Sequence, residues 1–125
     1  MAKLMRNILA KHQDYSDFKG LIADNPGFVP CDIDGIVERN GQFLIMEWKN
    51  PGEKLSEGQK IMLKALASKE NFIVLIIVGN TNDETVVESY WQITKDGEFM
   101  KCGTSFTELK QFYRDWYALA DGYKR

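Results

Sequence analysis

The stretch CDIDGIVERNGQFLIMEWKN, residues 31–50, decides the fold. At its centre Asn40-Gly41 is the strongest short hairpin signal, because both central residues of a type I′ turn need positive φ. With those two residues as the turn, Arg39 faces Gln42, Val37 faces Leu44, Ile36 faces Ile45 and Ile33 faces Trp48. The same register sets Asp34 opposite Glu47 and Asp32 opposite Lys49. Side chains alternate along a strand, so these four charged residues share one face. Trp48 falls on the other, apolar face, with Val37, Leu44 and Met46.

Opposed Cβ atoms in such a pair lie roughly 4.5–5.5 Å apart. Two carboxylates that close repel each other, and burial makes the repulsion worse. Two accounts remain. Asp32 with Lys49 is a plain cross-strand salt bridge, with Asp34 and Glu47 on a solvated face. Alternatively, a hard divalent cation sits between the carboxylates, with Lys49 aimed at the same spot. Mg²⁺ takes one or two protein carboxylates, with waters and phosphate oxygens completing its shell.

Working outward, Asn50-Pro51-Gly52 ends the second strand. Ser56-Glu57-Gly58-Gln59 then forms a capping box, Ser56 as N-cap and Gln59 at N3, opening a helix to about Lys69. Met62, Leu63, Leu66 and Ala67 form its inward face. Phe72 to Val78, FIVLIIV, is short, β-branched and apolar throughout, which predicts a strand covered on both faces. Val86–Thr94 and Phe99–Cys102 predict a second hairpin turning at Asp96-Gly97. Ser105-Phe106-Thr107-Glu108 is another capping box. It opens a last helix with Leu109, Phe112, Tyr113, Trp116 and Leu119 on one face, stopped at Asp121-Gly122. Met1 to about His12 reads as an amphipathic helix, and Asn25-Pro26-Gly27 as a turn. The order is α-β-β-α-β-β-β-α, an α/β (α+β) fold with a mixed central sheet flanked by helices.

The 125 residues favour a single domain, 1–125, large enough to bury one core. No apolar run approaches the length needed to span a bilayer, and the expected location is the cytoplasm. Cys31, Cys102 and the single His12 make no zinc spacing, and buried free thiols are expected of the two cysteines. The net charge of −2 gives no general nucleic-acid-binding surface, so a DNA partner must rest on local charge.

From Ile33 to Leu66, IDGIVERNGQFLIMEWKNPGEKLSEGQKIMLKAL resembles the core of the PD-(D/E)xK nuclease superfamily, a restriction-endonuclease-like fold. It is most similar to the stand-alone VRR-Nuc branch and to Holliday-junction-resolvase-like nucleases. Asp34 matches the family's aspartate, Glu47-Trp48-Lys49 its E-x-K, Asn50 to Ser56 its loop, and Gln59 its helical glutamine. Two departures stand out. Ile33 replaces the usual proline, which keeps Asp32 as second choice for the aspartate. No glutamate occurs from Met1 to His12 where many members carry one, leaving Asp14 or Asp17 to substitute.

The resemblance implies a Mg²⁺- or Mn²⁺-dependent endonuclease that hydrolyses DNA phosphodiesters, with branched DNA as substrate (Holliday junction or flap) and a homodimer as the working form. Asp34 and Glu47 would hold the metal, with the Trp48 backbone carbonyl as a third ligand. Lys49 would orient the attacking water or stabilise the phosphorane, and Gln59 would stand beside the site. Lys54, Ser56, Lys60 and Lys64 would contact phosphates, although solvated helix lysines look the same in sequence. Trp116, Phe112 and Tyr113 have helical spacing and are expected in the core. The rival reading is a nuclease fold with weak or no catalysis that binds nucleic acid or a protein partner.

Overall fold

The computed structural model describes residues 14–124. The helix expected over Met1–His12 lies outside them. The chain divides into two compact units, Met1–Asp32 and Ile33–Arg125. In the first, a 3₁₀ turn spans Ser16–Phe18, and the Asp14 carboxylate accepts from the Ser16 N–H at 2.9 Å. Asp14 therefore serves its own turn. The turn expected at Asn25-Pro26-Gly27 is present, with Phe28 N–H donating to the Asn25 carbonyl at 3.0 Å.

The second unit is a five-stranded sheet in the order β1-β2-β3-β4-β5 with a helix on each face. Its elements are β1 (Gly35–Arg39), β2 (Gln42–Lys49), α1 (Glu57–Ala67), β3 (Phe72–Asn80), β4 (Val86–Ile93), β5 (Phe99–Gly103) and α2 (Phe106–Asp121). Asn40 and Gly41 have φ of 52° and 82°, as a type I′ turn requires. The resulting ladder pairs Arg39 with Gln42, Val37 with Leu44 and Ile36 with Ile45, as expected. It begins at Gly35–Met46, so Asp34–Glu47, Ile33–Trp48 and Asp32–Lys49 are not rungs of it. Cross-strand Asp34–Glu47 and Asp32–Lys49 pairs within the ladder are thus corrected. Asp32 also belongs to the first unit.

Strands β2 and β3 are parallel, joined by α1 as the crossover, and the other neighbours are antiparallel. Central β3 is buried at four consecutive positions, Val74 to Ile77. That is why its sequence does not alternate: α1 covers one face and α2 the other. Ile45, Val74, Ile76 and Ile93 pack with Leu63 and Ala67 of α1. Leu44, Leu75, Ile77 and Tyr90 pack with Leu109, Trp116 and Ala120 of α2. Each aliphatic side chain so buried stabilises the fold by roughly 1.5–3 kcal/mol before entropy is counted. Trp48 and Phe112 pack against the α2 cluster.

Three expectations need correcting. Leu119 is 73% exposed and Tyr113 41% exposed, so the buried stripe of α2 runs through Leu109, Trp116 and Ala120 instead. The Glu108 carboxylate does not return to the N-cap N–H but accepts from the Thr104 N–H at 3.0 Å. Both cysteines are free, but Cys31 is exposed rather than buried.

Candidate metal and phosphate site

Parity puts Glu47 and Lys49 on the face that α1 covers, following Ile45 along β2. They sit where that hydrophobic row ends, below the first turn of the helix. Glu47 is the one buried charged side chain among the described residues, 3% exposed. Its Oε2 accepts from Gln59 Nε2 at 2.8 Å and lies 3.5 Å from Lys49 Nζ. The Gln59 Oε1 accepts from Lys49 Nζ at 3.1 Å. One amide therefore holds both charges of the E-x-K, donating to the glutamate and accepting from the lysine.

The helix supplies this geometry through its cap. Ser56 Oγ accepts from the Gln59 N–H at 3.1 Å, and Gln59 Oε1 also accepts from the Ser56 N–H at 3.4 Å. The capping box expected from the sequence is complete, and the site uses the same glutamine.

Asp34 stands immediately before β1. Its Oδ2 accepts from the Trp48 N–H at 2.8 Å, which fixes an otherwise exposed carboxylate beside β2. Its charge is felt at Glu47, whose carboxyl is pushed above the ordinary range. Burial is the main cause and Asp34 the second, opposed by Lys49 and by the Lys49 and Gln59 hydrogen bonds.

Glu47 Oε1 is buried and has no hydrogen-bond partner. Leaving a buried acceptor unsatisfied costs roughly 1–3 kcal/mol, and more for a charged group. A buried carboxylate with one idle oxygen, under the field of a second carboxylate, fits a cation. The donors are all oxygen, which suits Mg²⁺ or Mn²⁺. Among the described residues no three Asp, Glu, His or Cys side chains converge as ligands. Two carboxylates plus water and phosphate oxygens match the sparse protein shell that Mg²⁺ accepts.

Sequence reasoning missed Glu53, whose Oε2 lies 3.9 Å from Lys49 Nζ and whose Oε1 accepts from the Asn50 N–H at 2.9 Å. Its signal was the i,i+4 spacing from Lys49. Of the proposed phosphate contacts, Lys54, Lys60 and Lys64 line one groove with Lys49. Ser56 does not line it and is engaged as the cap. Comparison with family models, curated proteins and solved structures finds no match to this chain. Among the described residues, no helix is long and apolar enough to cross a membrane.

The raised Glu47 value has a signed consequence for the metal-free protein. As pH rises from the ordinary carboxylate range, the unfolded chain releases its proton first. The folded state then binds more protons, and its stability falls until Glu47 itself has ionised. In chelator, the melting temperature of wild type should therefore fall relative to Glu47→Gln as pH rises from about 4 toward neutrality. A difference that is flat or of opposite slope in parallel melts would contradict it.

Proposed function

We propose that this protein is a Mg²⁺- or Mn²⁺-dependent DNA endonuclease with a restriction-endonuclease-like core, acting on branched DNA as a homodimer. The observation that carries the reading is the orphaned, buried Glu47 Oε1 within a cluster of Asp34, Lys49 and Gln59. A binding module has no use for an idle buried carboxylate oxygen, whereas a cation site does.

Asp34 and Glu47 would hold the metal, joined by the Trp48 carbonyl, whose own N–H already anchors Asp34. When bound, such an ion lowers the pKa of a water and offsets charge building on the phosphate. The Lys49 side chain is 11% exposed, held by Gln59 and Glu47. From there it can offer N–H donors to a nonbridging phosphate oxygen, or fix the attacking water. Gln59 is a positioning residue. It accepts from the lysine and donates to Glu47 Oε2, which leaves Glu47 Oε1 without a partner.

The test is cleavage of end-labelled four-way junction, flap, duplex and single-stranded DNA in Mg²⁺ or Mn²⁺ against chelator. Cutting that requires metal and is strongest on branched substrates is expected. Independently, Mn²⁺ at ten times its dissociation constant should stabilise the fold by about 1.4 kcal/mol, raising the melting temperature by roughly 5 °C. No cutting and no thermal shift would leave a nuclease-like fold used only for binding. Sedimentation equilibrium checks the dimer.

A further inference from the structure

Glu47 lies on a rung that crosses the sheet. It pairs with Ile76, Ile76 with Trp91, and Trp91 with Lys101. Paired residues share a face, so Trp91 lies on the same side as Glu47, two strands away, or about 10 Å at ordinary strand spacing. One rung further along that face Ile93 pairs with Phe99. Beside α1 these residues open into a groove of about 450 Å³, with Ile76, Trp91 and Phe99 in its lining and Lys54, Lys60 and Lys64 around it. The groove reaches Lys49 and so is continuous with the candidate site.

Its chemistry is specific. Phe99 is 39% exposed, with Lys64 Nζ 5.7 Å from its ring centre. The Trp91 ring has Lys101 Nζ 5.8 Å from its centre, and its N–H is already spent on Ser89 Oγ at 3.2 Å. The indole therefore offers a π-surface and no hydrogen-bond donor. Among the lining residues four lysines face one carboxylate, Glu53, on a chain whose net charge is −2. Aromatic faces flanked by ammonium groups are the means by which single-stranded nucleic acid is held without sequence preference.

We infer that this groove takes an unpaired DNA strand, stacking a base on Trp91 and Phe99 while Lys54, Lys60 and Lys64 meet its phosphates. The inference deepens the nuclease reading and rests on it for the nature of the polymer. It makes the preferred substrate one with a displaced strand next to the scissile phosphate. Plain duplex has no free base to offer the groove.

The experiment is fluorescence anisotropy of an end-labelled short oligothymidylate in chelator, with an abasic strand of equal length as control. Wild type should bind the thymidylate about tenfold more tightly than the abasic strand. Phe99→Ala and Trp91→Leu should each remove most of that difference and leave abasic binding unchanged. Phe99 is at the exposed rim, so its variant answers the question even if Trp91→Leu does not fold. Equal affinity for both strands, or variants that weaken both alike, would overturn the proposal. Binding in chelator does not depend on cleavage. A base-dependent signature without metal-dependent cutting therefore supports the groove and retires the nuclease. Metal-dependent cutting without that signature does the reverse.

Discussion

Glu47→Ala should lower the proposed metal-dependent cleavage by on the order of 10³-fold or more, and Lys49→Ala by about 10²–10³-fold, with circular dichroism expected to show each fold intact. The two losses have different causes. Removing Glu47 deletes the buried carboxylate, and with it the Mn²⁺-induced thermal shift. Removing Lys49 deletes a positioned donor but leaves both carboxylates, so Mn²⁺ should still stabilise the fold. It should do so more strongly than in wild type, because no ammonium then competes for Glu47 Oε2. Gln59→Ala should lose less than either, about 10–100-fold, as outer partners of a metal ligand do. Cleavage that persists in Glu47→Ala would sink the assignment of this cluster as catalytic.

Gly79→Ala is the second large effect, and it lies in the scaffold. A Cβ there would stand 2.0 Å from the Val86 carbonyl oxygen and 3.0 Å from Val87 Cα, all backbone of the neighbouring strand. The β3–β4 register shifts at this point, between Val78 and Gly79, so the chains close together where a side chain would otherwise fit. Relief requires opening the last rungs, Gly79–Val87 and Asn80–Val86. The expected cost is about 3 kcal/mol, or a fall of roughly 10 °C in melting temperature. Gly58→Ala is the control: nothing lies within 4 Å of the added carbon, and the position is helical. It should stabilise slightly, by about 0.5–1 kcal/mol.

The hairpin register was legible because Asn40-Gly41 admits one turn type, and a two-residue turn leaves no slack in the pairing. The α1 cap was legible because Ser56 and Gln59 satisfy orphan N–H groups at fixed spacing. The second employment of Gln59, beside the site, came only from the family resemblance and not from its spacing. As a cap it looks complete, and its contact with Glu47 depends on how the crossover lays α1 across β2. Trp91 escaped for a similar reason, since its rung with Glu47 exists only once β3 is placed between β2 and β4. Leu119 was misplaced because the helical stripe predicts a face and not its width. The pairings of Asp34 with Glu47 and of Asp32 with Lys49 failed because the ladder stops at Gly35, before the alternation that was extended to them.

Gln59 Oε1 accepts from both the Ser56 backbone N–H and the Lys49 ammonium. One atom thus belongs to a helix end and to a charge cluster, and the two compete for its lone pairs. Anything that draws Lys49 toward a phosphate relinquishes that oxygen to Ser56 and tightens the first turn of α1. The Ser56 amide should accordingly exchange its hydrogen more slowly when the neighbouring site is filled. The helix start is a built-in reporter, and its signal is read on the backbone, at a residue that need never touch the ligand.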